Sequence, residues 1–350
     1  MYYLATVLPM IVCLLWTVIF ALDYRKNDPA KRMLTVFGLV STLLYTCHFV
    51  HFNQLSASPL WDSLYIFCNL SVYPLYNLYV HKLTHTHASA DWYRLLWFLP
   101  AVAVSIWSLT GTRGGNGAMM TVQVLFPVVS IAASIDAAIR LLRFRKSVDN
   151  YYSNPEQKRL DPVLVLIILQ FVTTLFSFIA NLLGRDTFLN KELLMVPALF
   201  FSALLFGIFY IGNSTEFPEE ELRNDTPAPP AETPHGFGEE QQKQLMEKIE
   251  RQMNEKELFR TKGLTISNLA EAVGSNRTYV SVCINQLAGY SFSDYINQAR
   301  IRYILKLMEN GDTRTLSEMA DEAGFAERTS FYRSFKKVVG TSPSTYLARL

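Results

Sequence analysis

EMADEAGFAERTSFYRSFKKVVGTSPSTY, residues 318–346, decides how the last part of this chain folds. A short amphipathic helix runs to the turn at Gly324. A second helix then sets Phe331 and Phe335 on one side, with basic and aromatic residues interleaved around them. Gly340-x-x-Pro343 closes the stretch. Fifty residues upstream the pattern has occurred once already: NLAEAVG (268–274) aligns with EMADEAG (318–324), matching Ala270 to Ala320 and Gly274 to Gly324. In each copy the Ala lets a neighbouring helix approach closely, and the Gly permits a tight turn. RTYVSVCINQL follows the first copy, with Val280 and Ile284 inward. The second turn is one residue longer. The spacing predicts two helix-turn-helix units within 261–350.

Between them, SFSDYINQARIRYILKLMENG (291–311) reads as one long helix. Ser291 or Ser293 is its N-cap and Gly311 its stop. Phe292, Tyr295, Ile296, Ala299, Ile304 and Leu307 form its apolar face. Some 17 helical residues span roughly 26 Å, so the two recognition helices are expected about one duplex turn apart, near 34 Å.

Working outward, EEQQKQLMEKIERQMNEKELF predicts a connecting helix within 238–260, its stripe Leu245, Met246, Ile249 and Met253 packing against the domain that follows. Before it, NSTEFPEEELRNDTPAPPAETPHGFG is rich in Pro and Glu, and residues 213–237 are expected to be a disordered linker. A flexible chain of that length has an r.m.s. span of roughly 28 Å.

Residues 1–212 differ in kind. The 350-residue chain contains 23 Phe and 18 Tyr, with a mean hydropathy of +0.14, and the apolar residues crowd before residue 213. Seven stretches are near the roughly 20 residues that a spanning helix needs: 2–22, 33–52, 60–80, 95–109, 121–142, 163–183 and 193–212. A seven-helix transmembrane bundle is expected, giving an all-α protein. The first stretch lacks the basic leader and cleavage site of a signal peptide. Arg25, Lys26, Lys31 and Arg32 follow span one; Lys82 and Arg94 follow span three; Arg140, Arg143, Arg145, Lys146, Lys158 and Arg159 surround the loop after span five. The alternate loops hold only Arg113, Arg185 and Lys191. Basic loops stay cytoplasmic, so the expected location is the inner membrane, multi-pass, N-terminus outside and C-terminal half in the cytoplasm.

Polar residues inside spans are where a signal would be sensed. His48 and His51 share a helical face beside Cys47, and Asn69 and Asn77 lie in span three; interhelical hydrogen bonding is the plainer reading of all four. Asp136 and Arg140, at i,i+4, neutralise one another. HKLTHTH (His81, His85, His87) has no Cys or carboxylate beside it and reads as a solvated loop, so no metal and no cofactor are expected. Four cysteines make no disulfide framework, and Cys283 falls on the inward side of its helix.

The C-terminal residues resemble the AraC/XylS family of transcriptional regulators. AGF at 323–325, SFYRSFKK at 330–337, Gly340-x-x-Pro343 with Tyr346, and FSDYINQARI in the middle helix carry the resemblance, over about the last 90 residues. It implies sequence-specific binding to promoter DNA, with RNA polymerase as a further partner. By that resemblance the DNA-facing residues are Arg277, Thr278, Ser281 and Asn285 on the first recognition helix, and Arg328, Thr329, Tyr332, Arg333 and Lys336 on the second. Arg and Asn can pair with base edges, while Lys and Thr more often hold phosphates. Most members of the family carry a soluble sensor, so the apolar half here departs from the pattern and its signal ligand is unknown. From Lys262 onward eleven Lys/Arg face eight Asp/Glu, a net +3 that implies modest, salt-sensitive non-specific affinity.

Three classes compete: a membrane-tethered regulator, a receptor or transporter whose C-terminal domain recruits a protein, and an intramembrane enzyme. No nucleotide loop, H-E-x-x-H or triad is present, so no enzymatic activity is expected. The expected partners are double-stranded DNA, the lipid bilayer and a second copy of the chain.

Overall fold

The computed structural model describes residues 2–26, 28–53, 55, 58–84, 92–110, 112–182, 195–214 and 237–349. Its elements are helical, and the only β-type contact among the described residues is a single antiparallel bridge between Tyr152 and Thr265. The chain forms two compact units: 1–142 with 160–219, and 143–159 with 220–350. The expected linker falls almost wholly outside the described residues.

The apolar stretches become α1 (Tyr2–Leu22), α2 (Pro29–Phe52), α3 (Pro59–Thr84), α4 (Leu99–Ser108), α5 (Thr112–Tyr151), α6 (Asp161–Leu182) and α7 (Met195–Ser214), all in the first unit except the end of α5 after Leu142. Two differ from expectation. The fourth is a 3-10 turn, Trp92–Phe98, leading into only ten α-helical residues. The fifth is 40 residues long and takes in most of the loop expected before it and the first half of the loop expected after it, so Arg113 and Arg143–Tyr151 are helical. Arg94 is not a loop charge either. It is buried, 3.8 Å from Asp136.

Trp16, Phe20, Phe37, Tyr76 and Phe209 form an aromatic core joining α1, α2, α3 and α7. Two glycines set how close those helices come. A Cβ on Gly38 would lie 2.3 Å from Thr17 Oγ1, and one on Gly212 would lie 2.3 Å from Leu34 Cδ1. The outside of the unit is also apolar: among the described residues, every exposed large apolar side chain lies at or before Tyr210 except Leu287, Tyr290, Val338 and Leu347. Among the described residues, Pro29–Val50 and Gly117–Tyr151 are long and apolar enough to cross a membrane; Val7–Leu22, Asp161–Leu175 and Ala198–Ser214 are shorter apolar helices.

The second unit contains α8 (Glu239–Asn254), α9 (Ile266–Ala272), α10 (Arg277–Cys283), α11 (Phe292–Glu309), α12 (Leu316–Glu322), α13 (Arg328–Val339) and α14 (Pro343–Leu347). Leu245, Ile249 and Met253 of α8 are buried within it. The fifty-residue repeat extends to the caps: Thr265 opens α9 with Asn268 as its reciprocal partner, and Thr315 opens α12 with Glu318. Each box satisfies backbone donors that the first turn would otherwise leave open. Gly274 and Gly324 have φ of +65° and +93°, as the tight turns require. Ser291, not Ser293, caps α11.

Candidate nucleic-acid interface

The inward faces of both recognition helices are fully buried: Val280 and Ile284 in the first unit, Phe331 and Phe335 in the second. Phe331 and Phe335 pack with Met319, Ala320, Phe325, Ile301 and Ile304, which joins α12 and α13 to the spacer helix α11. That core leaves the other face of α13 outward. On it Arg328, Thr329, Arg333 and Lys336 are exposed, with Tyr332 half-buried. The Arg328 guanidinium lies over the Tyr332 ring at 5.3 Å and donates to its hydroxyl at 3.1 Å. Thr329 donates to Glu327. Arg333 and Lys336 form no ion pair among the described residues, whereas the neighbouring Lys337 pairs with Asp294 at 2.6 Å.

The first recognition helix is different. After Cys283 it changes to a π turn, Ile284–Ala288, ended by Gly289 at φ +75°. Asn285 therefore sits in the π turn, half-buried, and donates to Ser281 Oγ at 3.1 Å. Thr278 is exposed. Arg277 is half-buried, 6.0 Å from the centre of the Tyr151 ring. Cys283 is fully buried, and burial pushes its thiol up to about 11, so it is neutral at ordinary pH.

Between the recognition helices, α11 supplies a residue that its helical pattern hides. Ala299 and Leu307, expected on the apolar face, are half-buried, while Arg300 is fully buried. Its guanidinium donates from Nε to Phe259 O at 2.8 Å and from Nη2 to Thr261 O at 3.0 Å. It also donates from Nη1 to Asn154 Oδ1 at 2.5 Å and from Nη2 to Ser153 Oγ at 3.3 Å. Burial lowers it to about 9, still charged at neutral pH. A buried charge is tolerated only when its hydrogen bonds are met, and half of these come from residues 153–154.

Residues 269–349 match a helix-turn-helix domain family. The similar relatives include the melibiose operon regulatory protein of Escherichia coli, 32% identical over 83 residues, 24% of this chain and 27% of the relative. Another is transcriptional regulatory protein HptR of Staphylococcus aureus, 32% identical over 91 residues, 26% of this chain and 35% of the relative. The chain thus covers only about a quarter to a third of the length of these curated relatives. No solved structure matches it.

The residues considered for sensing lie in the first unit and divide into two groups. The His48 ring meets the Tyr65 ring edge-on at 5.1 Å, and Asn69 donates to the Tyr65 hydroxyl at 3.1 Å. Asn77 belongs elsewhere, donating to Ala133 O at 2.8 Å and to Asp136 at 2.9 Å. Asp136 also accepts from Arg140 at 2.8 and 3.0 Å. The side chain of His51, and His85 and His87, lie outside the described residues; His81 is buried in α3. Among the described residues no group of three or more His, Cys, Asp or Glu could hold a metal.

Proposed function

We propose that the chain is a membrane-tethered, sequence-specific transcriptional regulator of the AraC type, with the apolar half as the signal sensor in the cytoplasmic membrane. The DNA-binding part of the reading rests chiefly on the second helix-turn-helix. Its core-facing phenylalanines leave Arg328, Arg333 and Lys336 projecting from one exposed helical face, in a segment similar to two proteins named as regulators. Arg can read guanine bidentately and Lys can hold phosphate. Membrane tethering is supported by the exposed Leu, Ile, Val and Phe side chains of the first unit, which water would disfavour and lipid would not.

With the helical or buried Lys82, Arg94 and Arg113 removed from the loop count, Arg25, Lys26, Lys158 and Arg159 still oppose only Arg185 and Lys191. The N-outside orientation keeps its support. A second copy of the chain and RNA polymerase are the further partners of this reading. The competing reading makes the C-terminal unit a docking site for another protein. Selection from a random duplex library by the full-length protein separates the two, because a protein-recruiting domain enriches no sequence. Topology is tested by single cysteines at two exposed turns, Lys26→Cys and Thr110→Cys; the native cysteines are buried. A membrane-impermeant maleimide should label the second on intact cells and the first only after permeabilisation. The reverse pattern would invert the chain.

A further inference from the structure

The segment 143–159, which the sequence presents as an ordinary loop after the fifth apolar stretch, packs within the second unit. Ser153 N donates to Leu264 O at 2.9 Å, forming the Tyr152–Thr265 bridge at the entrance to the first helix-turn-helix. The Tyr151 hydroxyl meets Ser267 Oγ at 3.2 Å, and its ring lies beside Arg277. Asn154 and Ser153 fill the acceptor positions around Arg300 of the spacer. Ser293 Oγ donates to Ser153 O at 3.4 Å. On the second helix-turn-helix, Asn154 Nδ2 donates to Gly324 O at 3.4 Å, and Glu156 accepts from Ser330 Oγ at 2.5 Å. At the end of the segment Leu160 holds φ +57°, a left-handed conformation that a branched residue rarely adopts. One short stretch therefore touches both readers and the spacer between them.

What it touches on the readers decides its role. Arg277 is the first residue of α10, and Ser330 lies in the first turn of α13. Helix N-terminal turns are where phosphate is favoured. At one of these ends the Arg277 side chain lies beside the Tyr151 ring, and at the other Ser330 donates to the Glu156 carboxylate. A carboxylate there competes for the same helix-end field as a duplex phosphate, and the ring occupies the cation that would reach a base.

We propose that residues 151–156 are an internal restraint, seated across both helix-turn-helix units and withdrawn when DNA binds. This rests on the DNA-binding reading above. The segment is continuous with α5, one unbroken helix whose residues to Leu142 belong to the first unit.

The test needs one form that locks the segment and one that frees it. Tyr152 and Thr265 are a non-hydrogen-bonded antiparallel pair, with Cα atoms expected about 4.5 Å apart, inside disulfide range. Full-length protein carrying Tyr152→Cys with Thr265→Cys is compared with itself, oxidised and reduced, for retention of duplex from a random library. The oxidised form should retain at least roughly tenfold less. Asn154→Ala removes the hydrogen bonds to the Arg300 guanidinium and to Gly324 O, a factor of roughly ten or more in the seating equilibrium, and should raise retention by up to that factor. Protection of Cys283 from alkylation verifies that each form is folded. Equal retention by oxidised and reduced protein, or a fall in Asn154→Ala, overturns the restraint and leaves DNA binding standing. If no form retains any duplex, the DNA-binding reading fails, and the restraint with it.

Discussion

Gly274 and Gly324 hold the same place in the repeat and the same sign of φ, yet alanine at the two should differ several-fold in cost. A Cβ on Gly274 meets nothing within 4 Å, whereas one on Gly324 would lie 2.5 Å from Arg260 O and 2.8 Å from its carbonyl carbon. Both alanines would adopt a left-handed backbone, at about 1–2 kcal/mol. Reduced entropy of the unfolded chain offsets this by about 0.4–1 kcal/mol. Gly274→Ala should therefore destabilise by about 1 kcal/mol.

At Gly324 the clash is added to this. The obstructing atoms are backbone, and they are held in place: Phe259 O accepts from Arg300 at 2.8 Å, and Arg260 is paired with Glu322 at 2.8 Å. Overpacking against atoms that cannot move costs about 1–3 kcal/mol more, for a total of about 2–4 kcal/mol. Cys283 supplies the assay, being fully buried with its thiol pushed up to about 11. Its alkylation on heating, read by peptide mass spectrometry, reports opening of this unit alone. At about 2–4 °C per kcal/mol for a unit of this size, Gly274→Ala should lower the midpoint by about 3 °C and Gly324→Ala by about 6–12 °C. Equal shifts would refute the close approach and leave only the backbone conformation.

Thr265→Ala and Thr315→Ala each remove an N-cap with its reciprocal partner, and each should cost about 1 kcal/mol by the same alkylation assay; no loss at either would show that its cap carries no weight. Arg333→Ala should weaken binding to a selected site by about 1–3 kcal/mol and relax one base position, measured by titration against single-base variants of the site. Lys336→Ala should weaken all sequences alike and reduce the salt slope by about 1; a sequence-selective loss there would exchange the two roles. Inserting some fifteen flexible residues after Pro230 should leave signal response largely intact, because flexible-chain closure changes only gently with length. Abolished response in a reporter strain would mean that the linker transmits strain.

Much of the reading half was legible because its signals are local. Gly274, Gly324, Val280, Ile284, Phe331 and Phe335 obey a fixed spacing or a helical period, and each stands as that spacing requires. The caps were equally available: Thr315 with Glu318 three residues later is the signature of a capping box. Arg300 was not legible. An arginine on a helix reads as solvated, and two of its acceptors lie on Ser153 and Asn154, nearly 150 positions away in sequence. Arg94 misled for the same reason, since its partner Asp136 is on another helix. In the apolar half hydropathy located the helices but not their ends. The fifth continues as helix through the basic residues Arg143, Arg145 and Lys146, because straight-chain basic residues favour helix as readily as they favour water.

The distribution of charge gives the two readers unequal standing. Between Lys262 and the C-terminus the excess of basic over acidic residues is only three, and several cations are already committed: Lys262 to Asp321, Arg314 to Asp312 and Glu322, Lys337 to Asp294, and Arg300 to the interior. Internal pairing of this kind cancels attraction to phosphate without changing the net count. What remains outward includes Arg302 and Lys306 on α11 and Arg349, but on the recognition helices it is α13 that carries most of it, as Arg328, Arg333 and Lys336. On α10 the one cation, Arg277, is half-buried beside Tyr151. Under the proposed function, α13 alone would gain few phosphate contacts, so strong binding is expected to require α10 as well. On the restraint proposed above, which touches both readers, withdrawing residues 151–156 frees Arg277 from Tyr151 and Ser330 from Glu156 together. That release is the step expected to turn weak, general contact into binding at a two-part site.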